Sequence, residues 1–255
     1  MNKIYWKVLK LFSITVAIGV SLTACGSSSW KEEVLLHDGT KIIVERSVSR
    51  AGSIAPNESG PIKEQNLSFV MPNTKQKVVW KDIFTEDIGG ANFLPMMLEI
   101  SKGIAYLVVY PMGCISYNKW GRPNPPYVVF KYEAKVWKRI ALKELPIELK
   151  TPNLIFSSPD DEAKKSGQGV VSADKIKALY ADTHQPEYKT ILREPIKDGG
   201  DSGCGEMIYV GKGGWRGVDW FTKQPTYEAC LKYCQLDDIS TQYCPCNKYF
   251  KGNEK

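Results

Sequence analysis

Residues 33–46 read EVLLHDGTKIIVER. Two runs rich in apolar and β-branched residues flank Asp38-Gly39. An Asp-Gly pair in that setting is the strongest short-range hairpin signal, because its glycine takes the positive φ that a tight turn requires. The pattern repeats downstream. Residues 66–71 (NLSFVM) and 77–84 (KVVWKDIF) form a second pair around Pro72-Asn73-Thr74. Residues 93–100 (FLPMMLEI) and 104–110 (IAYLVVY) form a third, turning at Lys102-Gly103. Residues 127–132 (YVVFKY) and 136–142 (VWKRIAL) form a fourth, turning near Glu133-Ala134-Lys135. Roughly eight short strands in successive hairpins predict a mainly β fold, an antiparallel meander or sandwich. No blade-length repeat supports a propeller.

Around this β domain, placed at 33–150, the chain is less regular. Residues 47–65, rich in Ser, Gly, Pro and charge, read as a long loop, as does the segment 152–169 with its acidic triplet Asp160-Asp161-Glu162. A short amphipathic helix is expected over 172–181, with Ser172 as its cap and Ile176, Leu179 and Tyr180 on one face. It belongs to a loop-and-helix region at 151–200. The glycine-rich stretch 197–217 reads as turns. A second helix is expected over 227–236, behind Pro225 and a cap at Thr226. It lies in a cysteine-rich C-terminal region, 201–255.

The other end of the chain carries an address. Residues 1–10 (MNKIYWKVLK) hold three lysines and no acid, and a mostly apolar run follows from Leu11 to Ala24. Basic start, apolar segment and small residues at its end are the marks of a secretory signal peptide. The run then stops at Leu22-Thr23-Ala24-Cys25, which resembles the bacterial lipoprotein lipobox. That resemblance implies cleavage after residue 24 and acylation of Cys25, hence a membrane anchor made of lipid. Gly26 and the serines 27–29 read as the start of a flexible tether over 25–32. In Gram-negative lipoproteins an aspartate after the cysteine favours the inner membrane; Gly26 in that place implies an outer-membrane, periplasm-bordering envelope address.

Loss of residues 1–24 would leave 231 of the 255 residues and lower the formal net charge from +6 to +3. No lysine or arginine run makes the basic stripe that nucleic acid demands, so nucleic acid is not an expected partner. No EF-hand, Walker, Rossmann or zinc-protease pattern is present, and neither a cofactor nor a metal site is expected. Of the seven cysteines, six follow Cys25: Cys114, Cys204, Cys230, Cys234, Cys244 and Cys246. An even set outside the cytosol reads as disulfides. Cys230 and Cys234 share a helix face, and Cys244 and Cys246 point the same way on an extended segment. This resembles the cysteine-stabilised helix–strand motif of small secreted proteins. It implies Cys230–Cys244 and Cys234–Cys246, which leaves Cys114–Cys204 to tie the tail to the β domain. A zinc site of the four tail cysteines is the rival, and its spacing is unlike that of zinc ribbons.

Residues 118–132 (NKWGRPNPPYVVFKY) and 188–195 (YKTILREP), together with EVLLHDG and KTPNL, resemble an uncharacterised group of proteobacterial lipoproteins, which implies no activity. Function then rests on two candidate sites. The loop with Trp120, Arg122 and Tyr127 is aromatic and proline-rich, and exposed rings there would bind an envelope protein or a glycan. Residues 200–203 (GDSG) resemble the nucleophile motif of chymotrypsin-like proteases. A serine-type hydrolase would use Ser202 with His37 or His184, the chain's two histidines. The non-catalytic, binding or structural reading is preferred, because four such residues recur easily in glycine-rich turns.

Overall fold

In the computed structural model, which describes residues 27–52, 59–197 and 203–251, the Asp38-Gly39 turn sets the first pairing. Gly39 sits at φ +85°, and Thr40 N–H donates to Asp38 Oδ1 at 2.9 Å. Strands β1 (Ser27–Leu35) and β2 (Lys41–Arg50) run antiparallel from this turn for their whole length, Leu35 opposite Lys41 and Ser27 opposite Ser49. Strands β3 (Ile62–Val70) and β4 (Lys77–Asp82) extend the sheet on one side. The other three expected pairs are likewise strands, and residues 93–140 supply the second sheet: β5 (Phe93–Ser101), β6 (Ile104–Pro111), β7 (Val128–Glu133) and β8 (Val136–Ile140), paired in chain order. A two-residue strand, β9 (Val170–Val171), joins the free edge of β1 in parallel. The first sheet therefore has the order β4-β3-β2-β1-β9.

The two sheets face each other across one core. Val34, Val44, Leu67 and Val78 of the first meet Leu98, Leu107, Val109 and Val128 of the second. Each side chain of this kind contributes about 1.5–3 kcal/mol when fully buried. The first sheet is wet on its other side. Its strands alternate, β2 presenting Lys41, Ile43 and Glu45 outward and Ile42, Val44 and Arg46 inward. The second sheet is covered on both sides. Met96, Met97, Tyr106, Val108 and Val129 form a second core with Leu145, Leu149 and Ile191. Strands with no wet face read as unbroken apolar runs, and MML at 96–98 and YLVVY at 106–110 are such runs.

The layer over that second face is held by polar groups that no hydrophobic pattern reveals. Arg193 donates to four carbonyls, those of Leu142, Leu145, Pro146 and Leu149, at 2.7–3.2 Å. Burial of its guanidinium, with no carboxylate bonded to it, lowers its pKa. Helix α1 (Gly113–Lys119) bridges β6 and β7. Helix α2 (Pro159–Lys165) occupies the stretch expected as a loop. Pro159 opens it, three acids fill its first turn and two lysines its last, all favourable to the helix dipole. Asp160 is also clamped by Arg50, through Nε at 2.8 Å and Nη2 at 2.5 Å. Helix α3 (Ala173–Ala181) has the expected cap, Lys175 N–H donating to Ser172 Oγ at 3.3 Å. A single turn, α4 (Pro186–Lys189), follows.

The C-terminal region holds a hairpin where turns were expected, β10 (Met207–Gly211) and β11 (Gly214–Gly217). Lys212 and Gly213 both take positive φ there, as a two-residue hairpin turn requires. Helices α5 (Asp219–Thr222) and α6 (Tyr227–Leu236) follow, the second capped by Thr226, whose Oγ1 accepts from Ala229 N–H at 3.2 Å. Phe221, Cys230, Cys234, Ile239 and Cys246 form its core.

Two expectations need correction. The disulfide Cys114–Cys204 is present, but the tail pairs are Cys230–Cys246 and Cys234–Cys244. The crossed arrangement needs the return segment to run parallel to the helix. Residues 235–243 are too few to travel back along α6 first, so the chain folds antiparallel and meets the nearer cysteine first. The serines 27–29 are not a tether: they are ladder residues opposite Ser49, Val48 and Ser47. Strand β2 continues through Arg50, and its backbone recruits whatever sequence lies opposite.

Candidate binding groove

Strand β4 and strand β8 are the outer strands of their sheets, and their edges meet at one corner of the sandwich. Trp137 of β8 closes the meeting by donating its Nε1–H to Val79 O at 2.9 Å. The corner is aromatic. Trp80 comes from the inward row of β4, Phe93 from the start of β5, Trp120 from the end of α1 and Phe130 from β7. Phe93 stands 4.6 Å from Trp120 and 5.6 Å from Phe130 between ring centroids, and Trp80 lies 6.3 Å from both phenylalanines. Arg139 sits over the Trp120 ring at 5.4 Å and donates to its carbonyl at 3.0 Å. Trp80, Phe93, Trp120, Phe130 and Trp137, with Lys81, Ile83, Thr85 and Lys119, line a groove of about 290 Å³.

Its floor is a saturated polar network. Asp82 accepts from Asn92 N–H at 2.8 Å, from Asn92 Nδ2 at 3.0 Å, from Phe93 N–H at 2.9 Å and from Gln65 Nε2 at 3.0 Å. Burial raises its pKa and outweighs these donors. Asn92 Oδ1 in turn accepts from Trp120 Nε1 at 3.1 Å, so the network fixes the ring that forms the wall. At the rim Lys119 pairs with Asp87 at 2.8 Å and donates to Thr85 Oγ1 at 3.1 Å. Burial pushes the Asp87 carboxyl up, but the Lys119 and Thr85 hydrogen bonds hold it below its ordinary value. Rigid rings fixed by buried hydrogen bonds are a preformed platform for a flat apolar face. A larger depression of about 730 Å³ lies on the wet face of the first sheet, beside β9. Its outward side chains are short or charged, such as Ser29, Ser47 and Ser68, and offer no converging apolar wall. The smaller aromatic groove is the better candidate despite its size.

The three residues expected to form one binding loop are separated by the fold. Trp120 lines the groove. Arg122 turns away at φ +51°, stacks on Tyr117 at 5.1 Å and donates to Cys204 O and Gly205 O at 3.0 Å, where it helps dock the tail. Tyr127 is buried, its hydroxyl donating to Glu187 O at 2.6 Å and its pKa raised by burial. Asn118 joins Arg122 by donating to Gly205 O at 3.0 Å and accepting from Met207 N–H at 2.8 Å. The polar half of that loop is spent inside the protein; its tryptophan lines the aromatic groove, while Tyr127 lines a separate depression of about 440 Å³ with Pro123, Pro125 and Arg139. Trp80, Phe93, Phe130 and Trp137 all lie within runs that read as strands, and nothing local in the sequence separates them from strand core.

For the hydrolase alternative, Ser202 lies outside the described residues. His37 Nδ1 lies 2.9 Å from Glu99 Oε2, which also accepts from His37 N–H at 3.1 Å. Glu99 is buried, which raises its pKa, and its other oxygen accepts from Asn153 Nδ2 at 3.3 Å. These contacts pin the β1–β2 turn to β5. His184 is exposed in the turn after α3. The sulfurs of Cys234, Cys244 and Cys246 lie within 4.8 Å of one another, a spacing that suits a metal, but each is bonded in a disulfide. Cys25 and the signal segment lie outside the described residues. Comparison with protein families, curated proteins and solved structures finds no match to this chain.

Proposed function

We propose that this protein is a lipid-anchored component of a bacterial cell envelope, held at the outer membrane by acylated Cys25, and that it acts by binding rather than by catalysis. The observation that carries the reading is the basic, apolar leader ending in Leu22-Thr23-Ala24-Cys25. The disulfides support it, since such bonds persist in oxidising compartments. The groove at Trp80, Trp120 and Trp137 supports binding of a glycan, whose apolar sugar face stacks on aromatic rings while rim groups such as Lys81 and Thr85 meet hydroxyls.

Intact mass of protein taken from Gram-negative membranes tests the anchor. A chain beginning at Cys25 with added acyl mass is expected, with a gain of about six hydrogens on reduction, two for each disulfide. An unacylated chain refutes the anchor. Tryptophan fluorescence titrated with cell-wall oligosaccharides tests the groove. A saturable change that Trp120→Ala abolishes is expected, and the absence of any change in the intact protein refutes the glycan reading.

A further inference from the structure

The first sheet leaves little freedom between lipid and fold. Cys25 precedes Ser27 by two residues, a span of at most about 7 Å, and Ser27 is already paired with Ser49. The register carries that level across the sheet: Ser49 lies opposite Glu64, and Gln65 opposite Asp82, so Ile83 emerges level with Ser27. Three strand spacings separate them, about 14 Å. At this end Ile83 is 61% exposed and Phe84 40% exposed. Lys63 sits over the Phe84 ring at 5.6 Å, and Lys81 is exposed beside them. Among the described residues Glu64 and Glu86 are nearby exposed acids without an ion-pair partner, Asp82 is buried among amide donors, and Asp87 is paired with Lys119. The β1–β2 turn stands about 30 Å away, at the far end of a nine-residue strand.

We propose that the end of the sandwich bearing Ile83, Phe84, Lys63 and Lys81 rests on the lipid bilayer that holds Cys25. The proposal rests on the lipid-anchor reading above. The apolar pair enters the interface, the two lysines meet anionic head groups, and the short connection from Cys25 keeps the tip there. Ile83 also lines the aromatic groove, so the groove opens beside the membrane surface rather than out in the aqueous space.

The test is hydrogen exchange on the acylated protein in vesicles of phosphatidylethanolamine and phosphatidylglycerol, compared with the unacylated chain from residue 26 free in solution. Far-UV circular dichroism checks first that this chain, which keeps both sheets and all three disulfides, has the fold of the acylated protein. Expected is slower exchange at residues 60–64 and 81–87, with none at the turns 36–41 and 71–76. Protection at those far turns, which a sheet lying flat would give, overturns the proposal. So does protection nowhere, or protection that appears only when other envelope proteins are present. Ile83→Ser with Phe84→Ser, both exposed positions, should remove the protection while acyl mass and disulfides stay unchanged. Intact mass reports separately on the anchor. If no acyl groups are found, the anchor reading fails, and the tip is judged by sedimentation of the unacylated chain with the same vesicles. Association that the double variant weakens roughly tenfold supports it; no association overturns it.

Discussion

Replacing Glu32 by leucine tests the most costly arrangement in the core. Glu32 is fully buried on β1, facing the second sheet. Its Oε1 accepts from Arg46 Nη1 at 2.9 Å and from Trp30 Nε1 at 2.6 Å, and its Oε2 accepts from Ile155 N–H at 3.1 Å. Arg46, 3% exposed, also donates to Ile155 O and stacks on Trp30 at 5.1 Å. Its Nη2 is buried with no hydrogen-bond partner among the described residues. Glu32→Leu therefore strands a buried guanidinium, which costs about 3–5 kcal/mol. With m near 1–3 kcal/mol/M in urea, the unfolding midpoint should fall by roughly 1–5 M. Arg46→Met in the same chain removes the stranded charge. It leaves the Ile155 amide and carbonyl and the Trp30 indole without their partners, worth about 1–3 kcal/mol each. The double variant should therefore stay destabilised by about 3 kcal/mol or more, yet by less than the two single losses added, because neither charge is left buried alone. The assay is urea unfolding at neutral pH, disulfides intact, for the wild type, both single variants and the double. A Glu32→Leu midpoint within about 0.3 M of wild type would refute the reasoning. So would a double variant as unstable as the two losses added.

Cys114→Ala with Cys204→Ala opens a closure spanning 90 residues, for which chain entropy gives an upper loss of about 4–5 kcal/mol. Thermal unfolding should show that loss concentrated in the C-terminal region, read by hydrogen exchange. Partial reduction, alkylation and mapping of the tail should return Cys230–Cys246 and Cys234–Cys244, and recovery of Cys230–Cys244 would refute the antiparallel return. Burial pushes the Asp160 carboxyl up, but the Arg50 hydrogen bonds and charge bring it net below its ordinary 3.8. A carboxyl with a lowered folded pKa adds stability that is present above 3.8 and lost as the pH falls through the folded value. Asp160→Asn should therefore lower stability near pH 7 and flatten the loss below pH 3.8, both read from unfolding midpoints across pH.

The strand pairs were legible because each carries its cause locally. A Gly-containing turn such as Lys102-Gly103 or Asp38-Gly39 fixes where the chain reverses, and alternation fixes which side is dry. The caps Ser172 and Thr226 were legible for the same reason: one side-chain oxygen three residues before the amide it serves. What stayed hidden depends on partners far along the chain. Nothing local marks Glu32 as an inward acid, since its value lies in Arg46 and Ile155. Nothing marks Arg193 as the clasp of four carbonyls. The candidate loop failed in the same way. Trp120, Arg122 and Tyr127 are near neighbours in sequence, but a helix end and a left-handed residue send them to three places, and two of them satisfy distant backbone.

The tail shows why the resemblance to the cysteine-stabilised helix–strand motif implied the wrong pairing. Two cysteines a helical turn apart and two at strand spacing allow two pairings with equal local merit. The choice belongs to the direction of the returning chain, and the connection sets that direction. A seven-residue link from the end of α6, residues 237–243, can turn the chain back but cannot first carry it to the helix start. Antiparallel return brings Cys244 to Cys234, one turn from the helix end, and takes Cys246 on to Cys230. The ring closures that result are nested, with separations of 10 and 16 residues. Lengthening the link would test this directly. Six further residues of Gly and Ser after Asp238 would let the segment run parallel, and appearance of the crossed pairs in the peptide map is the expected result. Persistence of the nested pairs alone would mean that packing of Ile239 and Phe221, rather than link length, selects the partner.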